Sequence, residues 1–136
     1  MLRDREKLIF LALAGGFFVL FLDVRFEHRN EVLSRWESWI PIYYGLVASV
    51  CSLLSVWFLP RVRWVVAGVF GLGLIVSGLG VYFHVDGDWG GLMEILKASP
   101  KYESFGPPLV APLGIGGLAI VGLILALVRP KVETAD

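Results

Sequence analysis

Only two histidines occur in the 136 residues, His28 and His84. Each stands about 20 residues from the start of an apolar run, His28 after a run that opens at Leu8 and His84 after one that opens at Trp64. At about 1.5 Å of helical rise per residue, both imidazoles lie roughly 30 Å above the entry points of their helices. If both helices run in the same direction, the two rings reach one level. Two imidazoles at one level can ligate a haem iron from its two axial sides. With carboxylates beside them they can instead hold zinc, copper or iron. The carboxylates at hand are Glu27 and Glu31, flanking His28, and Asp86, two residues beyond His84.

The surrounding stretch, FLDVRFEHRNEV, places Asp23, Arg25, Glu27, His28, Arg29 and Glu31 within nine positions. Asp23, Glu27 and Glu31 recur every fourth residue, so a helix continuing through them lines them up as a stripe, with His28 one position round. Asp23 and Arg25 fall at the membrane edge. A carboxylate there is expected to face the bundle interior and find a partner. The competing expectation is a solvated, salt-bridged rim in which Arg25 and Arg29 balance the acids at little gain in stability. Of the two, the sequence favours the charges facing water. A third use, a proton or ion relay, needs polar groups deeper in the chain, and only Tyr43, Tyr44, Ser49, Ser52, Ser55 and Ser77 offer them.

No established motif decides among these. The Glu-x-x-His pair of di-iron bundles and the His-Glu-x-x-His of zinc proteases are both missing. There is no Gly-x-Ser-x-Gly, and the single cysteine, Cys51, lies far in depth from both histidines. The chain is therefore expected not to be an enzyme by itself.

The elements that must position these groups are membrane spans. Hydrophobic residues make up 57% of the chain and the mean hydropathy is +0.74, well above soluble domains. Zero formal net charge excludes a basic field for nucleic acid. Uncharged runs at 39–59, 64–83 and 109–128 are each long enough to cross a hydrocarbon core of about 30 Å. The run at 8–22 is shorter. Basic residues precede it, but no small-residue cleavage site follows, so it is expected to stay as a span over 8–28. The expected spans are thus 8–28, 39–59, 64–84 and 109–128, in a single transmembrane domain over 1–136.

Lys and Arg then assign the sides. Arg3, Arg5 and Lys7 precede the first span, Arg61 and Arg63 sit in the turn PRVR between the second and third, and Arg129 and Lys131 follow the fourth. The positive-inside rule puts all three groups, and both termini, in the cytoplasm of a bacterial inner (plasma) membrane. The expected fold class is an all-α, up-down-up-down four-helix bundle. A short outer-side helix over 91–98, GLMEILKA, is expected between the third and fourth helices. Small residues four apart mark close helix packing: Gly71, Gly73 and Ser77 on the third span, Gly122 and Ala126 on the fourth. Such faces serve packing within the chain, a partner subunit or a second copy.

The segments WESWIP (36–41), GVYFH (80–84) and GPPLVAPL (106–113) together resemble small four-helix bacterial inner-membrane proteins. That resemblance implies the topology and carries no activity. With little mass outside the lipid, the leading expectation is a small subunit or accessory protein of a larger, redox- or respiratory-type membrane complex. The alternative is a stand-alone haem- or metal-binding membrane protein using His28 and His84. The third is a small ion or proton transporter.

Overall fold

Inside a membrane such long uncharged runs would find no water for their backbone, and helix is the form in which each amide finds a partner within its own segment. The computed structural model describes residues 4–30, 32–33, 35–85 and 109–128. Among them are three α-helices, α1 (Asp4–Glu27), α2 (Trp39–His84) and α3 (Val110–Leu127), with a 3-10 turn (Trp36–Ser38) leading into α2 and no strand. All three are long and apolar enough to cross a membrane.

Three differences from the sequence reading have physical causes. First, α1 starts at Asp4 rather than near Leu8. Asp4 and Glu6 in its first turn complement the helix dipole, and Lys7 Nζ lies 3.2 Å from Asp4 Oδ1. Second, α1 ends at Glu27 and does not carry its charged stripe onward; the chain turns at once, with the Arg29 amide reaching back to the Phe26 carbonyl at 3.3 Å. Third, the described helices number three, not four. Residues 39–84 are helical without a break, Pro60 included, where PRVR was expected to separate two helices. The expected helix over 91–98 lies outside the described residues.

The 46 residues of α2 would measure about 69 Å if straight. They are not straight. The Tyr44 hydroxyl lies against Gly73, although 29 residues of straight helix would hold them roughly 43 Å apart. Both ends of α2 also meet the same end of α1. Arg25 sits 5.9 Å over the Trp39 ring, and the His28 and His84 rings are 6.2 Å apart. So α2 folds back on itself, giving a first arm over 39–59 and a second over 64–84. Pro60 lies where the reversal must fall. It supplies no amide hydrogen and its ring crowds the preceding turn, the usual cause of a sharp bend.

The helices pack antiparallel except α1 and the second arm of α2, which run the same way from the Phe17–Phe70 contact to the His28–His84 contact. Ser49 Oγ donates to the Ala14 carbonyl at 2.8 Å and Gly45 faces Phe21, which sets α1 against the first arm. Gly80 faces Pro112 and Gly122 faces the Phe70 ring, which sets α3 against the second arm. Leu20 and Leu118 fill notches at Gly114 and Gly16 between α1 and α3. In lipid, association rests on such close packing rather than on excluding water. Phe17 is the centre of the core, stacked on Phe70 at 6.0 Å and edge-on to Tyr44 at 5.9 Å. The buried hydroxyls of Ser52 and Ser55 donate at 2.7 Å to carbonyls of their own helix, Ala48 and Cys51.

The outward surface is apolar as well. Val19, Val47, Trp57, Val65, Ile75 and Ile124 all point away from the core. On the second arm, exposed Trp64 and Tyr82 stand 18 residues apart, about 27 Å along a helix, close to the thickness of a hydrocarbon core.

Candidate metal centre

The contacts between helices give a common scale of depth. Residues 21 and 45 face each other, as do 20 and 114, and 80 and 112. Asp23, Tyr43 and Tyr82 therefore share roughly one level, that of the interfacial aromatics. His28 stands about 7 Å above it, five residues beyond Asp23, and His84 about 3 Å above it, two residues beyond Tyr82.

His28 is the first residue past α1, and its amide still bonds the Val24 carbonyl at 3.0 Å. The same carbonyl receives the ring, with Nδ1 at 3.0 Å. His84, the last residue of α2, repeats the arrangement, with Nδ1 2.7 Å from the Gly80 carbonyl. A carbonyl oxygen only accepts, so each contact is a hydrogen bond in the tautomer that carries its proton on Nδ1. In a neutral imidazole, Nε2 then keeps its lone pair. Both rings are half-buried, and their centres are 6.2 Å apart with planes 69° from parallel. Tying the ring N–H to a carbonyl is how metal-binding histidines are commonly held, since it fixes the tautomer and makes the other nitrogen more basic.

The floor beneath the rings is dry. Val24, Val32 and Ile42 are buried together, with Phe21, Trp39 and Ala111 packed against them. Trp39 Nε1 donates to the Val32 carbonyl at 3.1 Å, which pins the connection after α1 down onto α2. Trp39 also stacks on Tyr43 at 5.4 Å and carries the Arg25 guanidinium on its ring. Its place at the head of an apolar run was the only sequence sign of this role.

The charged residues behave differently from the histidines. Asp23 is exposed, and no ion pair or hydrogen bond joins its side chain to the described residues. Of the two arrangements weighed for Asp23, the inward-facing, partnered one is not found among the described residues. Glu27 and Arg29 are exposed too. Glu31 and Asp86 lie outside the described residues. Among the described residues no group of three or more His, Cys, Asp and Glu is placed to hold a metal ion. The two imidazoles are thus the ligands in view.

The packing residues divide. Gly73 and Gly122 receive Tyr44 and Phe70, Ser77 sits against Gly116, and Ala126 is fully buried, whereas Gly71 meets no neighbour. One buried group escaped the sequence reading. The Tyr44 hydroxyl has no hydrogen-bond partner among the described residues, and nothing in the spacing of α2 marks it.

No family model, curated protein or solved structure matches the chain. Its function has to be argued from the site itself.

Proposed function

We propose that this chain crosses a bacterial inner membrane four times, with both termini cytoplasmic, and binds a metal centre between His28 and His84 at its outer rim. The centre is a haem or a divalent transition metal, and the chain serves as a small redox-type membrane protein alongside larger partners. One observation carries the metal reading: the only two histidines meet across the bundle, each with Nδ1 within hydrogen-bond distance of a carbonyl of its own segment. Sequence separation of 56 residues makes the encounter a product of the fold rather than of local spacing. The two arms of α2, each long enough to span, support four crossings. The sidedness rests on the distribution of Lys and Arg.

Elemental analysis of protein purified gently in detergent tests this. The expected result is one transition metal per chain, absent from both His28→Ala and His84→Ala. Metal-free protein that neither takes up haem nor binds added metal would end the proposal.

A second reading, an accessory subunit without its own centre, is favoured by a different observation. Gly68, Gly71 and Gly78 lie along one side of the second arm of α2, and a Cβ at each would meet nothing among the described residues. Such notches suit close approach by another helix. On that reading Gly68→Leu and Gly78→Leu release co-purifying subunits and leave metal content unchanged. An ion path has less behind it, because the buried hydroxyls of Ser52 and Ser55 are bonded within their own helix.

A further inference from the structure

We infer that the reversal of α2 binds an anionic phospholipid, with Arg61 on the lipid phosphate and Trp57 and Trp64 flanking it. This inference rests on the membrane-spanning part of the reading above and not on the metal centre.

Spacing and exposure are the first reason. Trp57, Arg61 and Trp64 stand at i, i+4 and i+7 of α2, which places them within about 60° of one another around a helix. All three are exposed, Trp57 at 64% and Trp64 at 73%. Leu59 and Val66, each two residues beyond a tryptophan, are buried in the core. Two residues are about 200° round a helix, so the core lies opposite the Trp-Arg-Trp side. The bend at Pro60 falls inside this stripe, and Leu59 before it and Val66 after it keep the same side inward.

Depth is the second reason. At the apex of the reversal, Arg61 lies past both tryptophans, on the side away from the apolar arms. Exposed indoles favour the boundary between hydrocarbon and headgroups, and the phosphates stand just beyond it. A guanidinium takes a phosphate through two parallel hydrogen bonds. Leu54, Phe58 and Val65 are exposed on the arms beside the site, a surface that suits acyl chains. The phosphate that fits is therefore one that carries such chains.

Charge is the third reason. No acid occurs between Glu37 and Asp86, and Arg61 and Arg63 are the only Lys or Arg in that stretch. So α2 cannot neutralise its own reversal. Ala14 meets Ser49 and Phe21 meets Gly45, which brings the first turn of α1 level with the reversal. There Arg5 is exposed and adds positive charge. Asp4 and Glu6 are both engaged, Asp4 with Lys7 Nζ at 3.2 Å. The cytoplasmic leaflet, which this end meets in the proposed topology, is the one that holds anionic lipid.

The test compares spin-labelled phosphatidylglycerol with spin-labelled phosphatidylcholine around the full chain in phosphatidylcholine vesicles. Electron paramagnetic resonance reads the relative affinity of the two lipids for the protein. The expected result is a preference for phosphatidylglycerol that falls about fivefold in Arg61→Gln. Arg5→Gln removes the same charge at the same level but outside the stripe, and should lower the preference distinctly less. Both positions are exposed, so both variants should keep the wild-type helix content. Equal losses in the two variants would mean a diffuse positive field without a site, and would overturn the inference. A wild-type chain with no preference would overturn it too. So would a preference abolished by inorganic phosphate, which would mark a site for a soluble anion. In each of these cases the chain has inserted into the vesicles, and the membrane reading stands. A chain that fails to insert would remove both.

Discussion

Single residues divide into those the sequence could place and those it could not. The level of the two histidines was legible, because helical rise is fixed and each ring stands about 20 residues from a span's start. The direction of Asp23 was less so. A helix that is apolar on every side gives no polar face from which to read which way a carboxylate turns. Tyr44 was illegible for a related reason: its neighbour Tyr43 is exposed while Tyr44 is buried, and nothing in a uniformly apolar run separates them. The Tyr44 hydroxyl, buried without a partner against Gly73, gives two expectations. Tyr44→Phe removes an unsatisfied group and should leave stability unchanged or raise it, by up to about 1–3 kcal/mol. Gly73→Ala should cost about 1–3 kcal/mol, since its Cβ would meet the tyrosine ring and lie 2.8 Å from Ala119 Cβ. Gly71→Ala, where a Cβ meets nothing, is the control and should fall within about 0.5 kcal/mol of wild type. Reversible unfolding in detergent measures all three. A costly Tyr44→Phe would mean that the hydroxyl has a partner, such as a buried water.

Among the elements, α2 departs most from expectation. Uncharged length located two spans, and PRVR located the reversal between them. What sequence could not show is that helical geometry persists through the reversal. Pro60 forbids one hydrogen bond but keeps a helical φ, so the axis turns while the residues stay helical. Spin labels at the exposed positions Val47 and Ile75 should therefore be close. A straight helix would hold the two backbones about 42 Å apart, and the folded-back arms predict less than half of that. A second expectation concerns the connection after α1. Trp39→Phe removes the bond to the Val32 carbonyl and should cost about 0.5–1.5 kcal/mol. It should also speed amide exchange at Val32, whose own amide bonds the His28 carbonyl at 3.0 Å. Unchanged exchange would show that the indole does not pin this segment.

For the molecule as a whole, the apolar exterior, the glycine-notched contacts between helices and the charged end fit the proposed membrane bundle, with its histidines at the outer rim. The class of the fold was legible from composition because lipid leaves so few backbone solutions. The meeting of His28 and His84 was legible only on the assumption that their helices run the same way, which the antiparallel packing of both neighbours supplies. A reporter fused after Asp136 should read as cytoplasmic, and a periplasmic readout would invert the bundle and place the histidines on the inner side. The central claim, that two Nε2 atoms converge on one metal, is open to nitrogen NMR of histidine-labelled protein. Before loading, both rings should appear as the Nδ1–H tautomer with Nε2 unprotonated. On loading, both Nε2 signals should move together and saturate at one metal per chain. Rings found as Nε2–H, or a response from only one of them, would contradict the claim.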